Sequence, residues 1–188
     1  MRIQKKRRKQ KILVTTDWHL LHENLKIHGL RPRDNEERIK TQIQELCRDD
    51  ILINLGDVGN HDLVASYNDL IRQRGVKHWL CQGNHDKGSL FKYTEIGFDF
   101  VADHIMIKRY GRRWLFSHVP QEVHDERVVN VHGHLHEGAH RDAEWHEVRD
   151  ASTAGVHKLI SLEQDGFHFQ SLETIRKDLM DLGLITRG

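Results

Sequence analysis

The chain has 188 residues, 37% hydrophobic and 30% charged, which predicts one domain with a real core rather than a disordered chain. No window approaches the ~18 consecutive apolar residues of a membrane span, and the chain does not open with a signal-peptide pattern. We therefore expect a cytoplasmic protein with no membrane partner. The two cysteines, Cys47 and Cys81, form no C-x-x-C pair, which excludes a disulfide scaffold and a zinc ribbon.

The formal charge of +1 is unevenly distributed along the chain. Residues 1–11 contain seven lysines and arginines and no acidic residue, so the rest of the chain has an excess of acidic side chains. We assign residues 1–10 to a basic arm without ordered structure, and residues 11–188 to a single domain. Such an arm is either a solvated terminus or an electrostatic contact for nucleic acid. No sequence pattern specifies an oligomeric state.

Short apolar runs alternate with helical patterns, which predicts a mixed α/β fold. In chain order, we expect a strand at 12–16, a helix at 35–48, a strand at 50–55, a helix at 63–74 and a strand at 76–81. Further strands are expected at 101–108, 113–117, 128–132 and 156–161, followed by a helix at 172–184. The pair Gly111-Arg112 suits a hairpin turn between two of these strands.

Polar clusters follow five of the predicted strands. They are Asp17-Trp18-His19, Gly56-Asp57, Gly83-Asn84-His85-Asp86, Ser117-His118 and His132-Gly133-His134-Leu135-His136. Because sites in α/β sheets are built at the carboxyl ends of the strands, we expect these clusters to meet. They supply seven candidate metal ligands: Asp17, His19, Asp57, Asn84, His118, His134 and His136.

The ligand types indicate which metals would bind. Imidazole, carboxylate and amide groups suit two divalent ions, with manganese favoured and Fe, Zn, Ni or Mg compatible. Seven ligands exceed the needs of one tetrahedral ion, and they divide evenly between two if Asp57 bridges. A binuclear centre with ions ~3.5–4 Å apart stabilises in-line displacement at phosphorus and lowers the pKa of a bridging water.

Two neighbouring residues are candidates for catalytic roles. His85, next to the candidate ligand Asn84, is placed as the general acid that protonates the leaving group. Asp86 follows it and is placed as the residue that orients the His85 ring.

The series D-x-H, G-D, G-N-H-D, H and G-H-x-H occurs in this order across residues 17–136 and resembles the calcineurin-like metallophosphoesterase superfamily. The resemblance implies a four-layer α-β-β-α sandwich, in which helices flank two mixed β-sheets and the metal site lies at the carboxyl ends of strands. It implies that one ion is held by Asp17, His19, Asp57 and His136. It implies that the other is held by Asp57, Asn84, His118 and His134, and that His85 occupies the acid position.

A looser resemblance covers the stretch from Asp17 to Asn24 together with Arg31-Pro32, which is similar to a small branch of this superfamily from bacteria and phages. Within this stretch His22, Asn24 and Arg31 are candidates either for substrate binding or for loop structure.

These features together predict a two-metal-dependent phosphoesterase, in which a metal-bridging hydroxide attacks phosphorus in line and His85 acts as general acid. A phosphodiester substrate is favoured over a phosphomonoester, because a general acid helps poor alkoxide leaving groups most. The alternatives within the hydrolases are a phosphatase, including a protein phosphatase, and a nuclease or a phosphoesterase tethered to nucleic acid through the basic arm. The alternative of another class is a non-catalytic binding module on the same fold, but that requires missing ligands and all seven are present.

Overall fold

A computed structural model describes residues 8–27, 31–136 and 155–186. The described strands are β1 (Ile12–Thr15), β2 (Ile51–Asn54), β3 (Lys77–Cys81), β4 (Phe100–Ala102), β5 (His104–Arg109), β6 (Arg112–Ser117), β7 (Val128–His132), β8 (Val156–Leu159) and β9 (Gln170–Ser171). The described helices are α1 (Glu23–Ile27), α2 (Asn35–Glu45), α3 (His61–Gln73), α4 (Leu90–Glu95) and α5 (Leu172–Asp181).

The strands form two mixed sheets. The first sheet has the order β4-β3-β2-β1-β9, in which β1 to β4 run parallel and β9 is antiparallel to β1. The second sheet has the order β5-β6-β7-β8, in which β5 is antiparallel to β6 and the other neighbours are parallel. Helices flank these sheets, so the predicted mixed α/β architecture is confirmed.

Two hydrophobic cores hold the layers together. One combines side chains of both sheets, such as Val14 of β1 and Phe116 of β6, with the buried face of α5. The other lies between the first sheet and helices α2 and α3. Burial of these apolar faces stabilises the fold and fixes the sheet edges from which the site is built.

Helix α3 illustrates how the local sequence fixes an element. Its N-cap Asn60 accepts a hydrogen bond from the Leu63 N–H, which satisfies one of the free donors at the start of the helix. Val64, Tyr67 and Ile71 follow at helical spacing and are buried. The helix therefore begins two residues before the predicted position.

The predicted strand at 101–108 is wrong as a single element. Phe100–Ala102 pairs with β3 in the first sheet, whereas His104–Arg109 pairs with β6 in the second. The chain changes sheets at Asp103, which is exposed between the two strands. An apolar run indicates extended backbone, but it does not identify the strand with which it pairs.

The predicted arm of residues 1–10 is bound to the domain at its last three residues. Arg8 donates two hydrogen bonds to the buried carboxylate of Asp50, at 2.7 and 2.9 Å, and Gln10 donates to the Asp49 carbonyl. The Lys9 ammonium lies 5.5 Å from the centre of the Tyr110 ring. Residues 1–7, the rest of the predicted arm, lie outside the described residues.

Within the described residues, the helices are all too short or too polar to cross a membrane.

Candidate metal centre

The carboxyl ends of five strands bring the seven predicted ligands together. In the first sheet, β1 leads into Asp17 and His19, β2 into Asp57 and β3 into Asn84. In the second sheet, β6 leads into His118, and β7 leads into His134 and His136. The site therefore lies where the carboxyl ends of the strands of the first sheet meet those of the second.

The first group of ligands consists of Asp17, His19 and His136, whose ligand atoms all lie within 4.8 Å of one another. Asp17 Oδ1 is 3.7 Å from the Nε2 atoms of both His19 and His136. This oxygen is buried and has no hydrogen-bond partner among the described residues. A bare buried carboxylate oxygen facing two ring nitrogens is an arrangement that a cation would satisfy.

The second group consists of Asp57, His118 and His134, with Asn84 beside them. His118 Nε2 lies 2.8 Å from Asn84 Oδ1, 3.1 Å from His134 Nδ1 and 3.4 Å from Asp57 Oδ2. His118 Nδ1 donates to the Leu55 carbonyl at 2.8 Å, so Nε2 of the neutral ring carries a lone pair. These converging acceptor atoms also fit a divalent ion.

Asp57 connects the two groups through a single oxygen. Its Oδ2 lies 3.6 Å from His19 Nε2 in the first group and 3.4 Å from His118 Nε2 in the second. Its Oδ1 accepts the backbone N–H of His85 at 2.8 Å. The backbone contact holds the carboxylate in place and leaves Oδ2 facing both groups.

The electrostatic environment gives two of the ligands the protonation state that metal binding requires. Burial would raise the pKa of Asp57, but its contacts with His118 and the His85 N–H lower the pKa to about 2. Burial lowers the pKa of His19 to about 4, against the opposing charges of Asp17 and Asp57. At neutral pH the carboxylate is therefore ionised and the imidazole neutral, as metal ligands must be.

Two other rings bind protons more tightly. For His118, burial is outweighed by the hydrogen bond to Asp57 and the charge of Asp17, and the pKa is raised. For His136, burial is outweighed by the hydrogen bond to Glu163 and the charge of Asp17, and the pKa is again raised. Protons therefore compete with metal at these two rings as the pH falls.

The backbone at the site is strained. Five of the seven ligands are non-glycine residues with positive φ angles, between 42° and 70°: Asp17, His19, Asp57, His134 and His136. Each such residue costs on the order of 1–3 kcal/mol, and such strain concentrates at functional sites. Gly133 permits the close approach of two of these segments, because a Cβ there would lie 2.7 Å from Asp17 Oδ2.

The Asp86 side chain has a different role from the predicted one of orienting the His85 ring. Its carboxylate is buried and accepts the backbone N–H groups of Asp57, Val58 and Gly83 at 2.8 to 3.0 Å. Asp86 therefore ties the loop after β2 to the loop after β3, and it positions the backbone of Asp57. Its carboxylate oxygens are occupied by these donors.

Arg31 was a candidate either for substrate binding or for loop structure. Its side chain is only 1% exposed and makes its contacts inside the protein. One guanidinium nitrogen donates to the Asp17 carbonyl at 2.6 Å, and another donates to Asn35 Oδ1 at 3.3 Å. Its Nε forms an ion pair with Glu163 Oε1 at 2.8 Å. Of the two roles left open by the sequence, the structure favours support of the loop.

Two of the other predicted site residues, His85 and His22, lie beside His19 of the first group. The His85 side chain is exposed, and its ring centre is 5.6 Å from that of His19. The His22 ring is 5.5 Å from the His19 ring, and its buried Nδ1 has no hydrogen-bond partner in the part of the chain that the structure describes. Asn24 is an exposed residue of α1.

Glu163 is a residue of the site that the sequence analysis missed. Its Oε1 accepts the Nδ1–H of the candidate ligand His136 at 3.0 Å. The one available signal was its position, since Ser161-Leu162-Glu163 follows β8, the neighbour of β7, and β7 leads into His134 and His136. Glu163 lies in a turn and belongs to none of the sequence motifs. The sequence therefore does not distinguish it from a glutamate that is exposed to solvent.

The chain is similar to two proteins of known structure, and the first of them has the same fold. The chain is 22% identical to a protein of unknown function from Aquifex aeolicus, with a TM-score of 0.70 over 90% of this chain and 99% of that one. YfcE, a phosphoesterase from E. coli, is 16% identical over 68% of this chain and 70% of its own, with a TM-score of 0.44. No curated protein matches the chain significantly.

The family assignment rests on the match to a family model. Residues 10–177 match the model of the calcineurin-like phosphoesterases, a range that contains every candidate ligand and most of the described fold. The protein therefore belongs to the calcineurin-like phosphoesterase family.

Proposed function

We propose that the protein is a two-metal phosphoesterase that prefers phosphodiesters. The observation that carries this proposal is the position of Asp57 Oδ2, which faces a ring nitrogen of each ligand group at 3.6 and 3.4 Å. A shared carboxylate oxygen between two ligand sets is suited to a pair of metal ions. Membership of the family supports metal-dependent phosphoester hydrolysis.

The seven candidate ligands would bind the two metal ions. Asp17, His19 and His136 would hold one ion, while His118, His134 and Asn84 would hold the other, with Asp57 shared. Two bound divalent ions would supply an activated water and neutralise charge on the phosphoryl oxygens. The anchored backbone of Asp57 keeps the two ligand sets at a fixed spacing.

His85 is suited to act on the leaving group. Its backbone N–H is fixed on Asp57 Oδ1, so its exposed ring is held at the rim of the site beside His19. A positioned imidazole can protonate the departing oxygen. An alkoxide needs this proton more than an aryl oxide does, which favours phosphodiesters of alkyl or nucleoside alcohols as substrates.

A substrate panel tests the proposal. Manganese-loaded protein should hydrolyse bis-p-nitrophenyl phosphate faster than p-nitrophenyl phosphate, and a chelator should abolish both activities. Cyclic nucleotides and single-stranded DNA extend the panel to alkoxide leaving groups. Asp57→Asn is the control for contaminating phosphatases, since it removes the charge shared by the two ligand groups. Activity that survives both the chelator and this substitution would refute the proposal.

The second candidate function is a phosphoesterase tethered to nucleic acid. Lys9, Arg109 and Arg176 approach the Tyr110 ring at 5.0 to 5.5 Å, and this cationic cluster lies beside the first described residues of the chain, directly after the basic segment 1–7. The cluster extends the positive charge of the arm onto the folded surface. Such a concentration of basic residues favours phosphate backbones.

A further inference from the structure

The carboxylate of Glu163 makes three contacts in the interior of the protein. Oε1 accepts the Nδ1–H of His136 at 3.0 Å and pairs with Arg31 Nε at 2.8 Å. Oε2 accepts the Ser161 hydroxyl at 2.9 Å. The carboxylate is therefore a buried acceptor that three partners hold in one orientation.

These contacts fix the orientation of the His136 ring. Because Nδ1 donates to Glu163, the neutral ring carries its lone pair on Nε2, the atom that faces Asp17 Oδ1 at 3.7 Å. A carboxylate behind a metal-binding imidazole also increases the basicity of the ring. Glu163 thus determines both the direction and the donor strength of one candidate ligand.

Arg31 links the same carboxylate to a second ligand of the same group. Its guanidinium pairs with Glu163 and donates to the backbone carbonyl of Asp17 at 2.6 Å. The Phe167 ring lies 5.6 Å from its guanidinium carbon. Glu163 and Arg31 therefore form one buried network that joins His136 to the backbone of Asp17, behind the first ligand group.

The second ligand group is supported differently. There His118 donates its Nδ1–H to the neutral carbonyl of Leu55, at 2.8 Å. The two groups consequently differ in the acceptor of one histidine Nδ1–H. It is a carboxylate for His136 in the first group and a peptide carbonyl for His118 in the second. A change at Glu163 should act on the first group and spare the second.

We infer that Glu163 is a positioning residue that orients His136 and thereby sets the metal affinity of the Asp17–His19–His136 group alone. The inference rests on the proposed two-metal function. It predicts that a substitution that removes no ligand can lower the metal affinity of one site and leave that of the other unchanged. Removal of such a supporting interaction typically lowers metal affinity about 10–100-fold.

The test is a manganese titration of metal-free full-length protein, with free Mn²⁺ measured by electron paramagnetic resonance. Wild-type protein should bind two ions. Glu163→Ala should bind one ion with unchanged affinity and the other about 10–100-fold more weakly. Glu163→Gln keeps an oxygen that can accept the His136 N–H, so it should weaken the same site less than the alanine variant does. Circular dichroism checks the fold of each variant, and the glutamine variant alone carries the test if the alanine variant is unfolded.

A double substitution identifies the affected site. Glu163→Ala should weaken the first site much less in a His136→Ala background than in wild-type protein, because the ring on which Glu163 acts directly is no longer present. Glu122→Ala, which removes an exposed carboxylate, is the matched control and should bind both ions as wild type does.

The outcomes separate this inference from the proposed function. Wild-type protein that binds no manganese would refute both. Two ions in wild-type protein, with unchanged affinities in both Glu163 variants, would refute the positioning role alone. Equal weakening of both sites would refute it as well, since it would indicate a general structural effect.

Discussion

The residues of the site differ in how well their chemical type reveals their role. The seven candidate ligands were predictable because their types and their strand-end positions agree. Glu163 and Arg31 were not, because their roles depend on a contact between a turn after β8 and a loop after α1. Nor does a sequence show the left-handed backbone of the ligands, which the surrounding hydrogen bonds impose.

At the same scale, His85 gives the sharpest test of the proposed chemistry. His85→Ala should slow hydrolysis of alkyl or nucleotide esters about 10²–10⁴-fold, because it removes the proton donor. p-Nitrophenyl esters should lose much less activity, since that leaving group departs without protonation. The backbone N–H that holds Asp57 is still present in alanine, so metal content and melting temperature should not change. Steady-state rates on both ester classes make the comparison.

The matched control for this substitution is His124→Ala, which removes an exposed imidazole whose side chain is 71% accessible. It should not alter either rate. Equal losses on alkyl and aryl esters in His85→Ala would contradict the general-acid role and would indicate positioning of the phosphoryl group. Loss of a metal ion would place His85 among the ligands.

At the scale of elements, the sequence predicted strands well where a whole apolar run pairs within a single sheet, as in β2, β3 and β7. The prediction of strands failed where the structure depends on which strands pair with each other. The run at 101–108 is divided between two sheets, and the two-residue strand β9 has too little pattern to be detected. The carboxyl-end rule was the more useful guide, because it depends on strand direction rather than on strand order.

The packing of α3 on β3 predicts a pH dependence of stability. His78 of β3 is buried against Trp18 and Phe98, and its Nδ1 lies 2.6 Å from Asn68 Oδ1 of α3. Burial lowers the pKa of His78 to about 3. The unfolded chain therefore binds a proton below about pH 6.5 that the native ring does not, and stability is lost as the pH falls from there towards 3.

His78→Gln should remove this contribution while keeping a donor for Asn68. The free energy of unfolding, measured with urea between pH 4 and 7, should fall less steeply in the variant, by up to about 1.4 kcal/mol per pH unit. His104→Gln, at an exposed position in β5, is the control and should keep the wild-type slope. Identical slopes for wild type and His78→Gln would show that native His78 binds a proton as readily as the unfolded chain does, which would contradict the lowered pKa.

At the scale of the whole molecule, the candidate ligands and the cationic cluster lie at opposite ends of the strands. The ligands lie at the carboxyl ends of the strands, whereas Lys9, Arg109 and Arg176 cluster near the start of β1. A bound polyanion would therefore contact the domain away from the candidate metal centre. The tether would raise the local concentration of nucleic acid without taking part in catalysis.

Deleting residues 2–7 tests the tether. The deletion spares Arg8 and its hydrogen bonds to Asp50, so stability and turnover of small aryl esters should be unchanged. Affinity for single-stranded DNA should fall, and the slope of log affinity against log salt should flatten by about 0.7 for each phosphate that the segment no longer neutralises. A full-length variant with glutamine at the four basic positions of this segment should behave in the same way. An unchanged affinity and salt slope in either protein would refute the tether.

The most direct test of the two-metal account is the metal content of protein prepared with manganese, determined by elemental analysis in parallel with activity. We expect about two ions per wild-type chain. We also expect a loss of both in Asp57→Asn, because that substitution removes the oxygen charge shared by the two ligand groups. Wild-type protein that contains no bound transition metal, yet hydrolyses phosphoesters in the presence of a chelator, would contradict the account.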